Sequence, residues 1–445
     1  MRPGFLVRRR GVRQAGETGH TESLQVTYDP SRVTDQTLVQ TSWHNVDPLA
    51  AGGPFCDRGS RYRSQKGTDC MKYRVGISGS YGGMNLGDEA ILEVMLRDLR
   101  ASCDVDVVVF SRNPKDTERR HKVRSVSLRD MHKEEAVEEL RKLDLFVLGG
   151  GGILFDGMAD AFLRDVNWAK ELGVPVMVYA ISVGPLKTAE SKQLVVETLN
   201  QVDRITVREG EAKRLLNDLG VTRDIEVTAD PGLLLAPSLF TQEMLNNEGI
   251  SPDIPLVGFS VRELGPAAPD MDVDHYHGVL ANAADFIVER FDAQALFVPM
   301  ETGENRDPQH SHAVISRMAN AQRASVLKGD YSSSQVLGLV QHMSLAVGMR
   351  LHFLIFACIQ HVPFVPLPYA SKVTGLLASL DMPRIPIEGL NVGKLCAVLD
   401  RSWDTGKTIQ KRLEDRVPPL QEKARRTNQI LCDDLKTLKP KSASS

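Results

Sequence analysis

The sequence predicts an α/β protein made of two successive units, each with a mainly parallel sheet. Three observations carry that expectation. From Tyr73 onward, short apolar runs alternate with segments of helical period; the alternation lapses over a polar stretch between Pro237 and Pro255 and then resumes; and two glycine-rich turns follow strands of the first unit.

Each element has its own signal. Strands of the first unit are expected at Tyr73 to Ser78, Val105 to Phe110, Asp144 to Leu148, Val176 to Ile181, Arg204 to Val207 and Ile225 to Thr228. A helix is expected from Asp88 to Ala101, where Ile91, Leu92, Met95, Leu96 and Leu99 fall on one face. Another spans Glu209 to Leu219 and stops at Gly220. The segment Pro237 to Pro255, with Asn246-Asn247-Glu248-Gly249, reads as a linker or hinge. Beyond it, strands are expected at Leu256 to Val261, Ala295 to Met300, Ser325 to Lys328, Ser344 to Gly348 and Phe364 to Leu367, with helices at Val279 to Phe291 and Gln335 to Met343. The tail from Thr408 to Leu438 reads as a charged closing helix, interrupted at Pro418-Pro419, that packs back on the first unit. The expected boundaries are 1–70 for an extension, 71–237 and 250–390 for two Rossmann-like domains with a cleft between them, and 400–445 for a helical tail.

Composition narrows the function. Of 445 residues 42% are hydrophobic and 25% charged, and the formal charge of -3 lacks the basic excess of a nucleic-acid binder. No apolar run approaches the ~18 residues needed to span a bilayer. The six cysteines form no C-x-x-C pair, which points to a reduced, cytoplasmic setting with Cys103 and Cys358 as core or near-core thiols. Residues 1–70 are rich in Arg, Gly and Ser without an apolar period, so they read as disordered, as an Arg-rich transit-like segment, or as a misplaced start with translation beginning at Met71.

The chemistry gathers at strand ends. Arg350 and His352 interrupt the apolar run Leu345 to Ala357, where a parallel strand is expected to give way to a helix, the place where open α/β sheets bind ligands. A guanidinium there clamps phosphate or carboxylate, and an imidazole moves a proton near neutral pH; the alternative is a salt-bridged core arginine with a hydrogen-bonded histidine. The turns Gly79 to Glu89 and Gly149 to Asp156 lack both G-x-G-x-x-G and P-loop spacing, yet each offers backbone N–H groups to an anion at the same sheet edge. Ser182-Val183-Gly184-Pro185 ends a third strand there, and Arg208 ends a fourth as a second candidate clamp. Asp156, Asp160 and Asp165 read as solvated or capping acids, with Asp156 a candidate to face the cleft; Glu301 and Asp307 are weaker acceptor-side candidates. The pairs His275/His277 and His310/His312 lack the companions of a zinc motif.

Taken in order, Gly82-Gly83-Met84-Asn85-Leu86-Gly87-Asp88-Glu89-Ala90, Gly149 to Asp156, Ser182 to Pro185, Thr206-Val207-Arg208-Glu209, Ala229-Asp230-Pro231 and Gly348-Met349-Arg350-Leu351-His352 resemble the polysaccharide pyruvyl transferase family over roughly residues 73 to 385. The resemblance implies a GT-B-like pair of Rossmann domains and transfer of pyruvate from phosphoenolpyruvate to sugar hydroxyls as a ketal, in the synthesis of a cell-surface glycan or its lipid-linked precursor. It implies His352 as the catalytic acid or base, a donor site of Arg208, Arg350, Leu351, Gly150, Gly151, Ser182 and Gly184, and Asn85, Asp88 and Asp156 as acceptor or loop residues. Phosphoenolpyruvate is then a co-substrate, no cofactor or metal is demanded, and the enzyme works in the cytoplasm, at the inner membrane face where the acceptor is lipid-linked. Two departures stand out: Arg208-Glu209-Gly210-Glu211-Ala212 where the family often has Arg-Asp and a later Ser, and Tyr369-Ala370-Ser371-Lys372 where it often has Tyr-Asp-Pro-Lys. The competing readings are a nucleotide-sugar glycosyltransferase of the same architecture and a non-catalytic carbohydrate-binding protein.

Overall fold

The structure is a computed structural model that describes residues 72–264, 271–303, 306–367, 371–383 and 389–441. Expectations about residues 1–70, Met71, Tyr369 and Ala370 lie outside the described residues. The segment from Met71 onward forms one compact unit containing two parallel sheets.

The first sheet has eight strands: β1 (Tyr73–Ser78), β2 (Val105–Phe110), β3 (Arg124–Val126), β4 (Leu145–Leu148), β5 (Gly151–Leu154), β6 (Val176–Val183), β7 (Arg204–Val207) and β8 (Ile225–Val227). They run in the order β3-β2-β1-β4-β6-β7-β8, with β5 also pairing with β6. The connecting helices are α1 (Leu86–Ser102), α2 (Pro114–His121), α3 (Lys133–Arg141), α4 (Ala159–Glu171), α5 (Ala189–Leu199) and α6 (Gly210–Leu219). Parallel strands need such crossovers, and sheets covered on both faces read as the continuous apolar runs seen here. Asn85 starts α1 because its side chain accepts from the Gly87 N–H at 2.9 Å. Gly220 ends α6 in the left-handed region, φ 107°.

After α7 (Gln242–Asn247), the second sheet comprises β9 (Leu256–Ser260), β10 (Gln294–Phe297), β11 (Ala324–Val326), β12 (Met343–Gly348) and β13 (Phe364–Pro366), ordered β11-β10-β9-β12-β13. Its helices are α8 (Val273–Phe291), α9 (Asp307–Ile315), α10 (Ser333–Val340), α11 (Leu351–Ile359), α12 (Ser371–Ser379) and α13 (Val392–Asp404), and α14 (Gly406–Thr437) closes the molecule.

Besides shifted ends, with α8 starting at Val273 instead of Val279 and β10 stopping at Phe297 instead of Met300, three expectations change in kind. The Gly149 to Asp156 turn is half strand: β5 resumes the line of β4 past Gly149-Gly150 and pairs Gly151 with Ile181. The expected hinge is packed, with Phe240, Leu245 and Ile250 buried in the core of the second unit. Buried Glu248 receives the backbone N–H groups of Lys328 at 2.9 Å and Gly329 at 3.0 Å, so the stretch is polar because it satisfies a loop. The tail is one continuous helix of 32 residues with Pro418 and Pro419 inside it. Its first half buries Leu413 and Val417 in one core and its second half buries Ile430, Leu431 and Leu435 in another, so anchorage on both sides of the prolines holds the helix together.

The two units also meet at α1. Leu86, Ala90 and Val94 share an apolar core with Leu337, Phe353 and Leu354. The Leu86 N–H donates to the Met300 carbonyl at 2.8 Å, and Asn85 bridges Glu301 in antiparallel register. The start of α1 is thereby fixed against the second unit.

Candidate active site

The ends of β6, β7 and β8 and the starts of β5, α1, α11 and α12 meet beside this junction. Arg208 leaves the end of β7 and is almost wholly buried. Its Nη1 donates to Asp230 Oδ2 at 2.7 Å and its Nε to Glu209 Oε2 at 3.2 Å. Asp230 follows β8 and opens a short 3-10 turn, Pro231–Leu234, by accepting the Gly232 N–H at 2.8 Å. Its other neighbour is His352, in the first turn of α11, whose Nε2 lies 3.4 Å from Asp230 Oδ1. That contact is an ion-pair approach without hydrogen-bond alignment. The buried Nε2 has no hydrogen-bond partner among the described residues.

The imidazole fits only because Gly87 is bare. A Cβ at Gly87 would fall 2.0 Å from His352 Nδ1. At the next position Asp88 lies against β5, where a Cβ on Gly151 (φ +103°) would come within 2.8 Å of Asp88 Oδ1. Gly152 is exposed, and the space its missing side chain leaves is flanked by Arg208 Nη2 at 3.8 Å and Lys372 Nζ at 3.9 Å. Beside it the Ser182 hydroxyl donates to Glu209 Oε1. Two cations over a bare backbone are suited to an anionic group.

The electrostatics divide the carboxylates. Burial works against the Asp230 carboxylate, but His352, Arg208 and the Gly232 N–H outweigh it and hold the group well below the usual range. At Asp88 burial wins: the group is pushed up although His352, Lys372 and Arg208 pull it down. Burial likewise opposes the Arg208 charge, and Asp230, Glu209 and Asp88 more than restore it. A cleft of about 370 Å³ opens alongside, lined by Arg208, Arg214, Lys372 and Lys423 against Glu209, Glu211 and Asp230, with Leu351 in its wall.

Several sequence-predicted residues stand elsewhere. Arg350 is a braced core arginine: its Nε donates to Asp307 Oδ2 at 2.9 Å, and its Nη2 to Asp307 Oδ1 at 2.5 Å and Glu301 Oε2 at 2.7 Å. Arg350 is thus paired with Asp307 and Glu301, much as Arg208 is paired with Asp230 and Glu209, which is the ion pairing that the alternative reading of this arginine expects. Gly150 faces α1, where a Cβ would meet Ile91 at 2.8 Å, so its bare backbone lets sheet and helix pack closely. Gly184, at φ +96°, ties β5 to β6 through its N–H to the Leu154 carbonyl at 2.7 Å and does not line the cleft. Asp156 turns from the cleft to accept the Lys187 N–H at 2.7 Å, which holds its carboxyl below the usual range. Asp165, read as solvated or capping, is buried and paired with Arg164 at 2.8 Å. Asn85 is a helix cap at the junction. His277 and His310 meet, Nε2 to Nδ1 at 2.9 Å, and burial pushes both below the ordinary histidine value.

The local pairing of Arg208 with Glu209, which an arginine leaving a strand just before a glutamate suggests, is present, whereas the sequence assigns no role to Asp230 or Lys372. The Asp-Pro pair carried only the signal of a turn, and Lys372 sits at the start of a helix, where a lone lysine reads as surface.

Fold and site together define a two-Rossmann-domain protein of GT-B type with a histidine, an aspartate and cations gathered at the edge between its sheets. The chain belongs to the polysaccharide pyruvyl transferase family, a transferase family of polysaccharide synthesis, whose profile matches residues 85–371. Similar solved structures include MnaA of S. aureus in a co-structure with UDP (TM-score 0.60, 10% identity, covering 84% of this chain and 100% of that one). A putative UDP-N-acetylglucosamine 2-epimerase from Listeria monocytogenes matches with TM-score 0.58, 13% identity, and 82% and 97% coverage. A glycosyltransferase from Rickettsia africae matches with TM-score 0.55, 12% identity, and 82% and 99% coverage. At these identities the likeness is one of fold.

A second profile, peptide methionine sulfoxide reductase, matches residues 12–66. Over 49 residues the chain is 47% identical to the reductase MsrA of Limosilactobacillus reuteri, covering 11% of this chain. The chain thus spans only 28% of the length of the curated relatives it matches. The segment read from composition alone as disordered or misplaced carries the sequence of a piece of a named family; the likeness lies in residue identities, which composition does not register.

Proposed function

We propose that the protein transfers the pyruvyl group of phosphoenolpyruvate to a pair of sugar hydroxyls as a ketal, releasing phosphate. The observation that carries this reading is the His352–Asp230–Arg208 cluster beside Lys372 and the bare Gly152 backbone. Arg208 and Lys372 receive the donor's carboxylate and phosphate, two anions on one small molecule. His352, oriented by Gly87 and faced by Asp230, protonates the donor's methylene carbon, which makes C2 electrophilic; such a proton transfer contributes roughly 10²–10⁴ in rate. The same cations stabilise the departing phosphate. The scheme uses phosphoenolpyruvate as co-substrate and draws on no further cofactor. No helix among the described residues is long and apolar enough to cross a membrane, so a lipid-linked acceptor of the cell envelope would be met at the surface of the cytoplasmic face.

Ligand-dependent melting tests the reading. Phosphoenolpyruvate should raise the melting temperature with concentration, and UDP- or GDP-sugars should not. Phosphate release from phosphoenolpyruvate with candidate sugar acceptors completes the test. Stabilisation by a nucleotide sugar alone would instead establish a glycosyltransferase.

A further inference from the structure

Ketal formation moves more protons than His352 alone can handle. A hydroxyl must lose one as it attacks C2, while the methylene carbon gains one. The buried acids of the junction differ in how they are held: Asp230 is tied to Arg208 and the Gly232 N–H, and Asp307 to Arg350 and two backbone N–H groups. Asp88 is buried as well, yet its carboxylate makes no hydrogen bond to any described residue. Its place is specific, one residue from the glycine that houses the His352 ring and directly over the bare backbone of Gly151.

We propose that Asp88 is a second catalytic residue, the base that accepts the proton of the attacking sugar hydroxyl while His352 protonates the donor. This rests on the pyruvyl-transfer reading above. The charged and titratable groups facing Asp88 are Glu89 on its own helix, Tyr81 in the preceding turn, Arg208 from β7, His352 from α11 and Lys372 from α12. The cations keep a carboxylate available, and burial makes it a stronger proton acceptor than an exposed aspartate. Acid and base then come from separate units, α11 and α1, so the reaction requires the junction that fixes α1.

The step balances. The C2=C3 π pair takes a proton from His352 at C3, the acceptor oxygen bonds to C2, and its proton passes to Asp88. The bond from C2 to the phosphate oxygen then breaks, phosphate leaves with the electron pair and takes the proton from Asp88. The second hydroxyl closes the ketal and returns its proton to His352. Two hydroxyl protons are thus exchanged for one on the new methyl group and one on phosphate.

The test is Asp88→Asn in the full chain, after wild type has been shown to be stabilised by phosphoenolpyruvate and to release phosphate. Wild type failing that first step overturns the pyruvyl-transfer reading and does not concern Asp88. If Asp88 is the base, the variant retains donor affinity within about tenfold and loses ~10²–10⁴ in turnover. It also loses the limb of the kcat/KM profile that rises with pH as the base ionises. In D₂O it still exchanges deuterium into C3 of the donor, because His352 is intact. Asp88→Ser with added formate supplies a smaller side chain and an external carboxylate, and should recover part of the lost turnover. Turnover within about threefold of wild type with the acidic limb unchanged, or loss that formate does not relieve in folded protein, overturns the proposal.

Discussion

His352 owes its position to a residue with no side chain. Because a methyl group on Gly87 would sit 2.0 Å from the imidazole, Gly87→Ala must push the ring out of register. Displacement of a reacting group by about 1 Å costs on the order of 10²-fold; the variant should lose at least that much in single-turnover phosphate release while binding phosphoenolpyruvate within about tenfold of wild type. Asp230 gives a second expectation, in pH. Its folded carboxyl lies below the ordinary range despite burial, so the stability it contributes is present above about pH 4 and is lost as pH falls through the depressed folded value. Asp230→Asn should therefore be less stable at pH 7, by ~3 kcal/mol or more because Arg208 loses a buried partner, and should show a flatter acid limb in urea unfolding between pH 7 and 2. Arg208 and His352 were legible in the sequence because a charge at the end of an apolar run needs a reason. Which partners a side chain meets was not legible: Arg350 occupies the same kind of position, and its partner Asp307 lies 43 residues away in sequence.

At the scale of elements, β1, β2 and β7 have the ends that their apolar runs predict, while β10 stops at Phe297, three residues short of the expected Met300. The elements that escaped have other causes of order. β3 is three residues, Arg124-Ser125-Val126, paired at the sheet edge, and β5 is built on Gly151-Gly152, whose strand form comes from β6 beside it. The closing helix escaped in part because two prolines outweigh periodicity locally, whereas burial on both sides restores it globally. Leu431 tests that account, being fully buried where α14 meets the first unit. Leu431→Ala should cost about 2–5 kcal/mol in chemical unfolding, while Leu239→Ala, at a side chain 80% exposed, should stay within about 0.5 kcal/mol.

The whole molecule is organised around shared cores. α1 carries Asp88 and Gly87 and buries Leu86, Ala90 and Val94 with the second unit, while its other face buries Ile91, Leu92 and Met95 with the first. α14 repeats the arrangement from outside. Both lobes therefore hold the geometry around His352 and Asp230, and the cores, caps and site described above are made by residues between Lys72 and Lys441. The segment from Met71 to Ser445 is a compact unit distinct from Met1–Cys70. A chain starting at Met71 should accordingly fold alone. Its melting temperature should differ from that of the full chain by less than ~2 °C, under the shift that 1 kcal/mol produces in a domain of 150–250 residues. Its phosphate release and its stabilisation by phosphoenolpyruvate should match the full chain as well. A larger fall in melting temperature would show that residues 1–70 contribute packing to the transferase body; an unchanged melt with lost turnover would show that they contribute to the reaction.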